Sequence, residues 1–393
     1  MTLSQVNKFA EHKVVEGKRY LFSVAFDVKP DLKKTERIDQ EIRDILKISN
    51  DGGIAVILSH QGRQEYGDVR HLDFVARYLE SKLRRGVVYL SDNSTDFAKR
   101  YVESMGPGDI VLLGNTRFND GETTNDNELG RKFARLGDYA VIGGFTKAHR
   151  AHASNVGVLN YKSGFLARSC IEQLELLAPW VGINGRHSVA VLGGVKGEKV
   201  KAVEGFVKNY DYVIPGGIVL NTALKVLGRD VGDSLIEDSG KTFEKEIRKS
   251  LEIYSEKIHI PEKVMVARKR GNGFEDAQWI SISGGVPEGF GIVDFSLNDE
   301  AKQNLEKAVR DNGRIVVAGT PGVYTKGFRN STDEVMSYVR RNEQGSILLG
   351  GDTVNELEFA GTTSTGGGSA LEYLCTGKLA VLEALRQNKE RFQ

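Results

Sequence analysis

The stretch SVAVLGGVKGEK at residues 188–199 decides the fold that this sequence predicts. Five residues rich in valine and leucine are typical of a buried strand, and Gly193 and Gly194 predict the tight turn at which the chain leaves that strand and begins a helix. Backbone N–H groups at such a helix start, together with Lys196 and Lys199, are donors suited to a phosphate group. A glycine pair before a lysine is weak evidence for phosphate on its own, and this is not a Walker A sequence. The stretch therefore predicts an α/β domain.

The same alternation of apolar strand, turn and helix extends in both directions from this stretch. In the first half of the chain the predicted strands are 20–28, 53–58, 86–90, 109–113 and 138–142, and the predicted helices are 36–48, 72–83 and 94–105. In the second half the predicted strands are 188–192, 212–214, 263–267, 314–318 and 346–349. Nearly continuous apolar strands are what a parallel sheet with helices on both faces requires. The sequence therefore predicts an α/β protein with two doubly wound, Rossmann-like parallel sheets, one in each of two domains.

The length of 393 residues also favours two domains, because one hydrophobic core seldom organises so long a chain. Residues 165–177 have helical periodicity and precede Pro179, which predicts a hinge helix that joins the two domains. We therefore predict an N-terminal domain over residues 1–178 and a C-terminal domain over residues 186–376. Residues 377–393 are predicted to return to the N-terminal domain.

Composition and charge exclude several classes of function. Lysine and arginine number 54 and aspartate and glutamate 53, so the formal net charge is only +1, without the surplus that binds nucleic acid or an anionic membrane. No apolar run has the length of a signal or membrane-spanning segment, and two cysteines are too few for a disulfide framework. The sequence predicts a cytoplasmic monomer that binds neither nucleic acid nor membrane.

Basic residues follow the predicted strands of the first half. They are Arg37, His60, Arg63, Arg117, Lys147, His149, Arg150 and His152. For any single turn, a solvated loop is the more ordinary interpretation. Because the carboxyl ends of parallel strands meet at one edge of a sheet, several such turns together predict a local cluster of positive charge. In a nearly neutral chain this cluster indicates a small polyanion held by guanidinium groups.

Glycine-rich turns mark the second half instead. LLGGDT at residues 348–353 ends a strand with Asp352, which could hold a magnesium ion that bridges nucleotide phosphates, or could simply cap a helix. TTSTGGG at residues 362–368 places three glycines before a helix. Three glycines there cost conformational entropy unless the backbone must closely approach a ligand. These turns predict a nucleotide-phosphate site in the C-terminal domain.

In this order and spacing, the stretches of the two halves resemble the phosphoglycerate kinase family. The resemblance runs from Tyr20 to Leu385 and rests on SHQGR, LLGNTRF, AHRAHASNVG, VLGGVKGEK, AGTPGVY, LLGGDT and STGGG. It implies an N-terminal domain that binds an acidic substrate, a C-terminal domain that binds ATP or ADP with Mg²⁺, and a hinge that closes the two for in-line transfer. Such phosphoryl transfer needs positioning and electrostatic stabilisation rather than covalent work by the protein.

The resemblance also implies roles position by position. Substrate binding is implied for Ala25, Asp27, Arg37, His60, Arg63, Arg117 and Arg150. Catalysis is implied for Arg37, Lys196, Gly366, Gly367 and Gly368. Nucleotide binding is implied for Gly194, Lys196, Lys199, Gly216, Gly217, Gly319, Thr325, Gly351, Asp352 and Thr353, with Asp352 as the magnesium ligand. Lys201 is an alternative to Lys199, because the chain is one residue shorter here than the family pattern.

Several positions depart from the family pattern. Where the family has Arg-Val-Asp-Phe-Asn, this chain has SVAFD at residues 23–27, so the carboxylate that accepts the hydroxyl group of glycerate is replaced by the methyl group of Ala25. Asn-Asp-Ala is replaced by IGG at residues 142–144, with an additional cation at Lys147, and the glutamate expected to hold the ribose is Thr325. The remaining departures are Ala318 for the asparagine of Asn-Gly-Pro and DFSL at residues 294–297 for Asp-Ile-Gly-Pro. The phosphate-handling residues are kept, whereas those that read the substrate hydroxyl and the nucleoside are altered.

Three functions are compatible with this sequence. The leading hypothesis is a Mg-ATP-dependent carboxylate kinase that forms an acyl phosphate on a small acid bearing a phosphate or phosphonate group. An ordinary glycolytic phosphoglycerate kinase acting on 3-phosphoglycerate is the alternative, and a catalytically silent binding or regulatory relative is the third. A silent relative is expected to lose one of the transfer residues, whereas Arg37, Lys196, Asp352 and the triple glycine are all present.

Overall fold

The structure is a computed structural model that describes residues 3–182, 185–236 and 241–392. It divides into two compact units, and the first unit contains both ends of the described chain. The first unit includes the residues up to Leu176 and those from Lys378 onward, and the second is Leu177–Gly377. Asn388 shows how the C-terminal segment joins the first unit, because its side-chain amide donates to the carbonyl of Leu159 at 2.6 Å.

The first unit is built around a six-stranded sheet in which all neighbouring strands are parallel. Its strands are β1 Arg19–Ser23, β2 Ile54–Leu58, β3 Val88–Leu90, β4 Ile110–Leu113, β5 Tyr139–Ile142 and β6 Gly164–Leu166, in the spatial order β3-β4-β2-β1-β5-β6. The helices of this part of the chain are α1 Glu36–Asp39, α2 Ile42–Asn50, α3 Asp73–Leu83, α4 Asp96–Glu103, α5 Asn127–Ala134 and α6 Arg168–Leu177. Because the strand order runs outward from β1 to both sides, the predicted doubly wound parallel sheet is confirmed.

The first strand is shorter than predicted. The prediction was a strand over residues 20–28, whereas β1 ends at Ser23. Beyond it, the N–H of Phe26 donates to the Ser59 side-chain oxygen at 2.8 Å rather than to a neighbouring strand. The chain therefore leaves the sheet earlier, and Ala25 and Asp27 lie in the loop at the carboxyl end of β1.

Two predicted helices also differ from those observed. The predicted helix 36–48 is interrupted at Glu41, which separates α1 from α2. The carboxylate of Glu41 is buried and accepts a hydrogen bond from the N–H of Gly144 at 2.9 Å, so tertiary contacts override the helical pattern. The predicted hinge helix 165–177 begins with residues of β6, and only its later part is helical, as α6.

The second unit contains one parallel and one antiparallel sheet. Its strands are β7 Ser188–Leu192, β8 Tyr212–Pro215, β9 Lys263–Arg270, β10 Gly273–Ser281, β11 Gly291–Phe295, β12 Arg314–Ala318, β13 Ser346–Leu349 and β14 Thr362–Ser364. Five of them form a parallel sheet in the order β14-β13-β12-β7-β8, as predicted for the second doubly wound domain. The helices are α7 Glu198–Asn209, α8 Gly217–Val226, α9 Lys241–Tyr254, α10 Asp299–Arg310, α11 Asn330–Arg341, α12 Gly351–Glu356 and α13 Gly367–Thr376, followed in the first unit by α14 Ala380–Phe392.

The placement of the predicted strand 263–267 in a parallel sheet is wrong. The strand is part of β9, which pairs antiparallel with β10 and β11. Gly271, with φ +56°, and Asn272 form the two-residue turn between β9 and β10. Glycine followed by asparagine is a hairpin signal, and an antiparallel sheet tolerates the solvent exposure seen along much of β10. The signal lies in the turn, so a search for apolar runs misses it.

Each unit has its own hydrophobic core between its sheet and its helices. Phe22 of β1 and Ile45 of α2 belong to the core of the first unit, and Val317 of β12 and Leu305 of α10 belong to the core of the second. None of the helices in the described part of the chain has the length and apolar composition needed to cross a bilayer.

Candidate active site

The basic residues predicted from the first half lie at one edge of the first sheet. His60 and Arg63 follow β2, Arg117 follows β4 and Arg150 follows β5. These strands and β1 are consecutive in the sheet, so their carboxyl ends bring the four side chains to the same edge. We call these four residues together with Arg37 the basic cluster.

Arg117 and His60 are the buried members of the basic cluster. Burial lowers the pKa of Arg117, Glu122 raises it, and the charges of the neighbouring arginines Arg150 and Arg63 lower it again. Burial and neighbouring cations hold the pKa of His60 well below its usual value, so this ring is neutral at physiological pH. Nδ1 of His60 and Nε of Arg117 have no hydrogen-bond partner within the described structure. Buried polar atoms are normally paired, so these two atoms are available to a polar ligand or to water.

Arg37 is held by Asp27. Its Nη1 donates to the backbone carbonyl of Asp27 at 3.0 Å and to the carboxylate Oδ2 at 3.2 Å. The other carboxylate oxygen accepts the N–H of Gly62 at 3.1 Å. Asp27 therefore links the loops after β1 and β2, and it places a negative charge beside the basic cluster.

Ala25 lies beneath the loop that follows β5 and is only 1% exposed. A Cβ atom placed on Gly144 would lie 2.6 Å from the nitrogen of Ala25 and 2.8 Å from its Cβ. Gly144 also has a φ of +66°, which L-residues with a side chain rarely adopt. The loop backbone therefore packs directly on Ala25, and the position offers no polar side chain to a ligand.

Three buried charged residues lie beneath the basic cluster, and of these only Lys147 was named from the sequence, as one of the cations that follow the strands. Glu122 accepts a hydrogen bond from the Ser154 hydroxyl at 2.6 Å, and Lys147 donates to the Ser23 hydroxyl at 2.7 Å. Glu41 is the third, and its side chain is fully buried. The sequence marks Lys147 only as an additional cation, and neither glutamate belongs to a motif. Their role is visible only from contacts between distant parts of the chain.

The glycine-rich turns of the second unit surround a cavity of about 310 Å³ at the carboxyl ends of β7, β12 and β13. The predicted nucleotide-binding residues that line it are Gly194, Lys196, Lys199, Gly217, Gly319, Thr325, Gly351, Asp352 and Thr353. Of the predicted catalytic glycines, Gly367 and Gly368 line it as well. Gly216 and Gly366 do not, although both are adjacent to residues that do.

The lysines of this cavity have distinct positions. Lys196 Nζ donates to Asp352 Oδ2 at 3.2 Å, and both side chains are largely exposed. Lys199 Nζ donates to the carbonyl of Gly193, which fixes it against the turn after β7. Lys201 lies outside the cavity lining, where its charge acts on a carboxylate of α13. The structure thus places Lys199, and not Lys201, at the cavity.

The glycines around the cavity have two different kinds of surroundings. A Cβ on Gly319 would collide with the carbonyl of Gly193, and a Cβ on Gly216 would lie 2.5 Å from Cα of Pro321. These glycines allow two turns of the protein to pack together. By contrast, no described protein atom lies within 4 Å of the place where a Cβ of Gly351 would stand. The backbone there borders open space, which is what close approach by a ligand requires.

Glu356 is a residue of the cavity that sequence reasoning missed. It ends α12 and lines the same cavity as Thr325, the residue found where the family pattern has a glutamate. Burial raises the pKa of Glu356, and the charge of nearby Asp352 raises it further. The spacing of four residues from Asp352 puts both carboxylates on one side of the helix, and this signal was present in the sequence.

Comparison with known proteins identifies the family. The sequence model of phosphoglycerate kinase matches residues 10–387. The phosphoglycerate kinase of Thermosipho africanus is 31% identical to this chain over 397 residues, covering 96% of this chain and 97% of that protein. The phosphoglycerate kinase of Chelativorans sp. is 32% identical over 394 residues, covering 95% of this chain and 98% of that protein.

Solved structures agree with these matches. The phosphoglycerate kinase of Coxiella burnetii superposes with a TM-score of 0.74 at 28% identity, covering 97% of this chain and 99% of that one. The phosphoglycerate kinase of Pyrococcus horikoshii shares the fold, with a TM-score of 0.75 at 23% identity over 98% of this chain and 100% of that one. A family match over nearly the whole sequence, with relatives above 30% identity that cover more than nine-tenths of it, shows that this chain belongs to the phosphoglycerate kinase family.

Proposed function

We propose that this chain transfers a phosphoryl group reversibly between Mg-ATP and the carboxylate of a small acid that also bears a phosphate or phosphonate group. In the forward direction a carboxylate oxygen bonds to the γ-phosphorus of ATP while the bond from that phosphorus to the β–γ bridging oxygen breaks. The products are an acyl phosphate and ADP. The first unit binds the acid and the second binds the magnesium nucleotide. Family membership supports the kinase chemistry, and the two sites support this division of roles.

The basic cluster supports an acid with two anionic groups. Arg63, Arg117 and Arg150 follow neighbouring strands at one edge of the first sheet, and the charges of Arg63 and Arg150 lower the pKa of Arg117, so positive charge is concentrated at this edge. Guanidinium groups bind phosphate and carboxylate through paired hydrogen bonds. A ligand that brings two anionic groups offsets the repulsion among these cations.

The choice of acid rests on the burial of Ala25 under Gly144. A methyl group cannot accept a hydrogen bond from a substrate hydroxyl, and the covering loop leaves it no contact with a ligand. A site without a polar group for the hydroxyl has no unpaired partner when the hydroxyl is absent, so it does not discriminate against acids that lack it. We therefore infer an acid of the 3-phosphono- or 3-phosphopropionate type.

In the second unit, Lys196 and Asp352 are placed to handle the phosphoryl group. Asp352 is a largely exposed carboxylate at the cavity, and magnesium in such sites is held by one or two carboxylates together with phosphate oxygens and water. Asp352 would therefore hold the metal, which neutralises charge on the phosphates during transfer. Lys196 would contact the oxygens of the transferring group, and the backbone at Gly351 and Gly367 would approach them through the open space beside it.

A second candidate, kinase activity on 3-phosphoglycerate, is favoured by one observation. The carboxylate of Asp27 lies beside the basic cluster, two residues from Ala25, and is 44% exposed in its side chain. It could accept the hydroxyl hydrogen bond in place of the missing carboxylate. Its bonds to Arg37 and Gly62 already use both oxygens, although each oxygen can accept more than one hydrogen bond.

A hydroxylamine screen with Mg-ATP tests the proposed function, because hydroxylamine converts acyl phosphates into hydroxamates. We expect hydroxamate with 3-phosphonopropionate or 3-phosphopropionate, little or none with propionate, and loss of the product in Lys196→Ala. Absence of hydroxamate from every phosphorylated or phosphonate acid would overturn the proposal and favour a silent relative. Hydroxamate from 3-phosphoglycerate alone would select the second candidate.

A further inference from the structure

A buried lysine lies beneath the basic cluster and takes no direct part in the proposed reaction. Lys147 is 2% exposed, and its Nζ donates to the hydroxyl of Ser23 at 2.7 Å. Ser23 is itself fully buried at the end of β1. A buried ammonium group destabilises a protein unless nearby negative charge compensates it. Lys147 therefore needs carboxylate neighbours.

Two buried carboxylates provide this compensation. Burial lowers the pKa of Lys147 to about 8, while Glu122 and Glu41 act to raise it. Glu41 is held in place by the N–H of Gly144 at 2.9 Å and by the Ser169 hydroxyl at 2.9 Å. The ammonium and both carboxylates thus form one buried group of charges under the acid site.

This group lies beside two positions, 23 and 143, at which the sequence departs from the family pattern. In the family pattern, residue 23 is arginine and residue 143 is aspartate. Here the ammonium of Lys147 reaches Ser23, and a Cβ on Gly143 would lie 2.6 Å from Glu41 Oε2. Residues 23 and 143 are neighbours, because the N–H of Gly143 donates to the carbonyl of Ser23 at 2.9 Å. Lys147 and Glu41 therefore bring a cation and an anion from other elements beside residues 23 and 143.

Lys147 is also connected to the residues of the basic cluster. Its carbonyl accepts the N–H of Arg150 at 3.0 Å and the side-chain amide of Asn155 at 3.4 Å. The same amide donates to the carbonyl of Arg150 at 2.9 Å. Lys147 thus joins the end of β1 to the loop that carries Arg150.

We propose that Lys147 is a positioning residue of the acid site, which supplies from the loop after β5 the buried positive charge that an arginine at residue 23 would otherwise supply, with Glu41 as its counter-charge. Small residues at 23, 25, 143 and 144 then allow the two loops to pack directly on each other. The inference depends on the proposed function only in the experiment that measures acid binding.

Variants that place the positive charge on residue 23 of β1, in place of Lys147, test the proposal without any ligand. Between the pKa of Glu41, about 7, and that of Lys147, about 8, the ammonium and the Glu41 carboxylate are both charged. At such a pH, Lys147→Ala leaves two buried carboxylates without their cation, so Tm is expected to fall by several degrees, on the order of 5 °C. Ser23→Arg in the native chain places a second cation beside Lys147 and is also expected to lower Tm. In the Lys147→Ala background the same change restores the missing charge and is expected to raise Tm, so its effect changes sign. Lys132→Ala on the exposed side of α5 is the control and should shift Tm by less than about 2 °C.

Binding of 3-phosphonopropionate and 3-phosphoglycerate, followed by calorimetry, tests the role at the acid site. Lys147→Ala should weaken acid binding about tenfold or more, Ser23→Arg/Lys147→Ala should recover most of it, and Mg-ADP binding should stay unchanged. If Ser23→Arg lowers Tm equally in both backgrounds, or does not recover binding, the proposal is overturned. If neither acid binds the native chain but the effect of Ser23→Arg on Tm changes sign, the acid proposed above is wrong, whereas the role of Lys147 as the buried positive charge is supported.

Discussion

The two candidate sites of this chain are built by different means. The cavity of the second unit is shaped mainly by backbone, through glycines that let turns pack together or border open space, such as Gly319 and Gly351. The basic cluster of the first unit is formed by side chains that lie near buried residues of opposite charge, as Arg117 lies near Glu122. A site made by backbone depends on local residue types, whereas a site made by buried charges depends on partners from distant elements.

This difference explains where the chain departs from its family. The turns proposed to bind phosphate keep their glycines, because a side chain at such a position would hold the ligand away from the backbone N–H groups. At the acid site, Ala25, Gly144 and Lys147 form a changed but mutually consistent set. We therefore expect ordinary phosphoryl-transfer behaviour from the second unit and altered substrate preference from the first.

Substitution of Lys196 should have the largest effect, and it should slow phosphoryl transfer while both candidate binding sites keep their affinity. Lys196→Ala should lower kcat by about a hundredfold or more, because a contact made mainly in the transition state is lost, while the KM for ATP changes by less than about tenfold. Steady-state kinetics with Mg-ATP and the acid found by the screen measure both. Lys245→Ala, exposed on α9, is the matched control. An unchanged kcat would place the chemistry elsewhere.

Substitution of a buried arginine should weaken binding of the acid and leave binding of ATP unchanged, which would show that the two sites have separate roles. Arg117→Ala should weaken acid binding by about 2 kcal/mol, roughly thirtyfold, which is the size of a charge-assisted contact in a buried site. Arg150→Ala should act in the same direction, and the KM for ATP should not change in either variant. Arg131→Ala, whose side chain pairs with Glu128 on the surface, serves as the control. Equal effects on the acid and on ATP would contradict separate roles for the two units.

The buried charges of the first unit should also make its stability depend on pH. Burial raises the pKa of Glu41 from 4.5 to about 7, so the folded chain holds this proton more tightly than the unfolded chain does. The contribution to stability is complete below pH 4.5 and is lost as pH rises to about 7. Over this interval, Tm of the native chain should fall by a few degrees, about 3 °C or more, relative to Glu41→Gln. Glu80→Gln, at an exposed residue of α3, is the control, and its Tm should depend on pH as that of the native chain does. If the Tm of Glu41→Gln also has the same pH dependence as that of the native chain, the role of Glu41 is contradicted.

The smallest expected effect concerns Asp27. Asp27→Asn removes a negative charge beside the basic cluster and releases Arg37 from a partly exposed ion pair. Because such pairs contribute at most about 1 kcal/mol, acid binding should become about threefold tighter. Titration of the acid into both forms measures the change. Weaker binding in the variant would show that Asp27 itself holds the substrate, as the 3-phosphoglycerate alternative requires.

The fold and the cavity lined by glycine-rich turns could be predicted from the sequence for a common physical reason. Apolar strands followed by glycine turns are local signals, and local signals decide both a parallel α/β sheet and a backbone-shaped cavity. The turn after β7 is an example, since Gly194, Lys196 and Lys199 all line the cavity. Where a local signal was overlooked, as at Gly271 and Asn272, the strand was assigned to the wrong sheet.

The supports of the acid site could not be predicted, because they join residues far apart in sequence. Glu41 lies within what reads as one continuous helix, yet it binds Gly144 more than a hundred residues later. The basic residues themselves were found by their positions after strands. The burial of Ala25, the pairing of Arg37 with Asp27 and the contact of Lys147 with β1 required the structure.

The ratio of kcat/KM for 3-phosphonopropionate and 3-phosphoglycerate, measured in the native chain and in Ala25→Asp, tests the central claim most directly. The native chain should use the acid without the hydroxyl at least as well as 3-phosphoglycerate, because residue 25 offers no partner for that hydroxyl. Because the loop at Gly144 packs on residue 25, the carboxylate of Ala25→Asp must displace that loop to reach the hydroxyl, and in a variant that stays folded the ratio should shift toward 3-phosphoglycerate. A native preference for 3-phosphoglycerate of roughly a hundredfold or more, the size that a dedicated polar contact produces, would contradict the account and leave an ordinary phosphoglycerate kinase with an altered first strand.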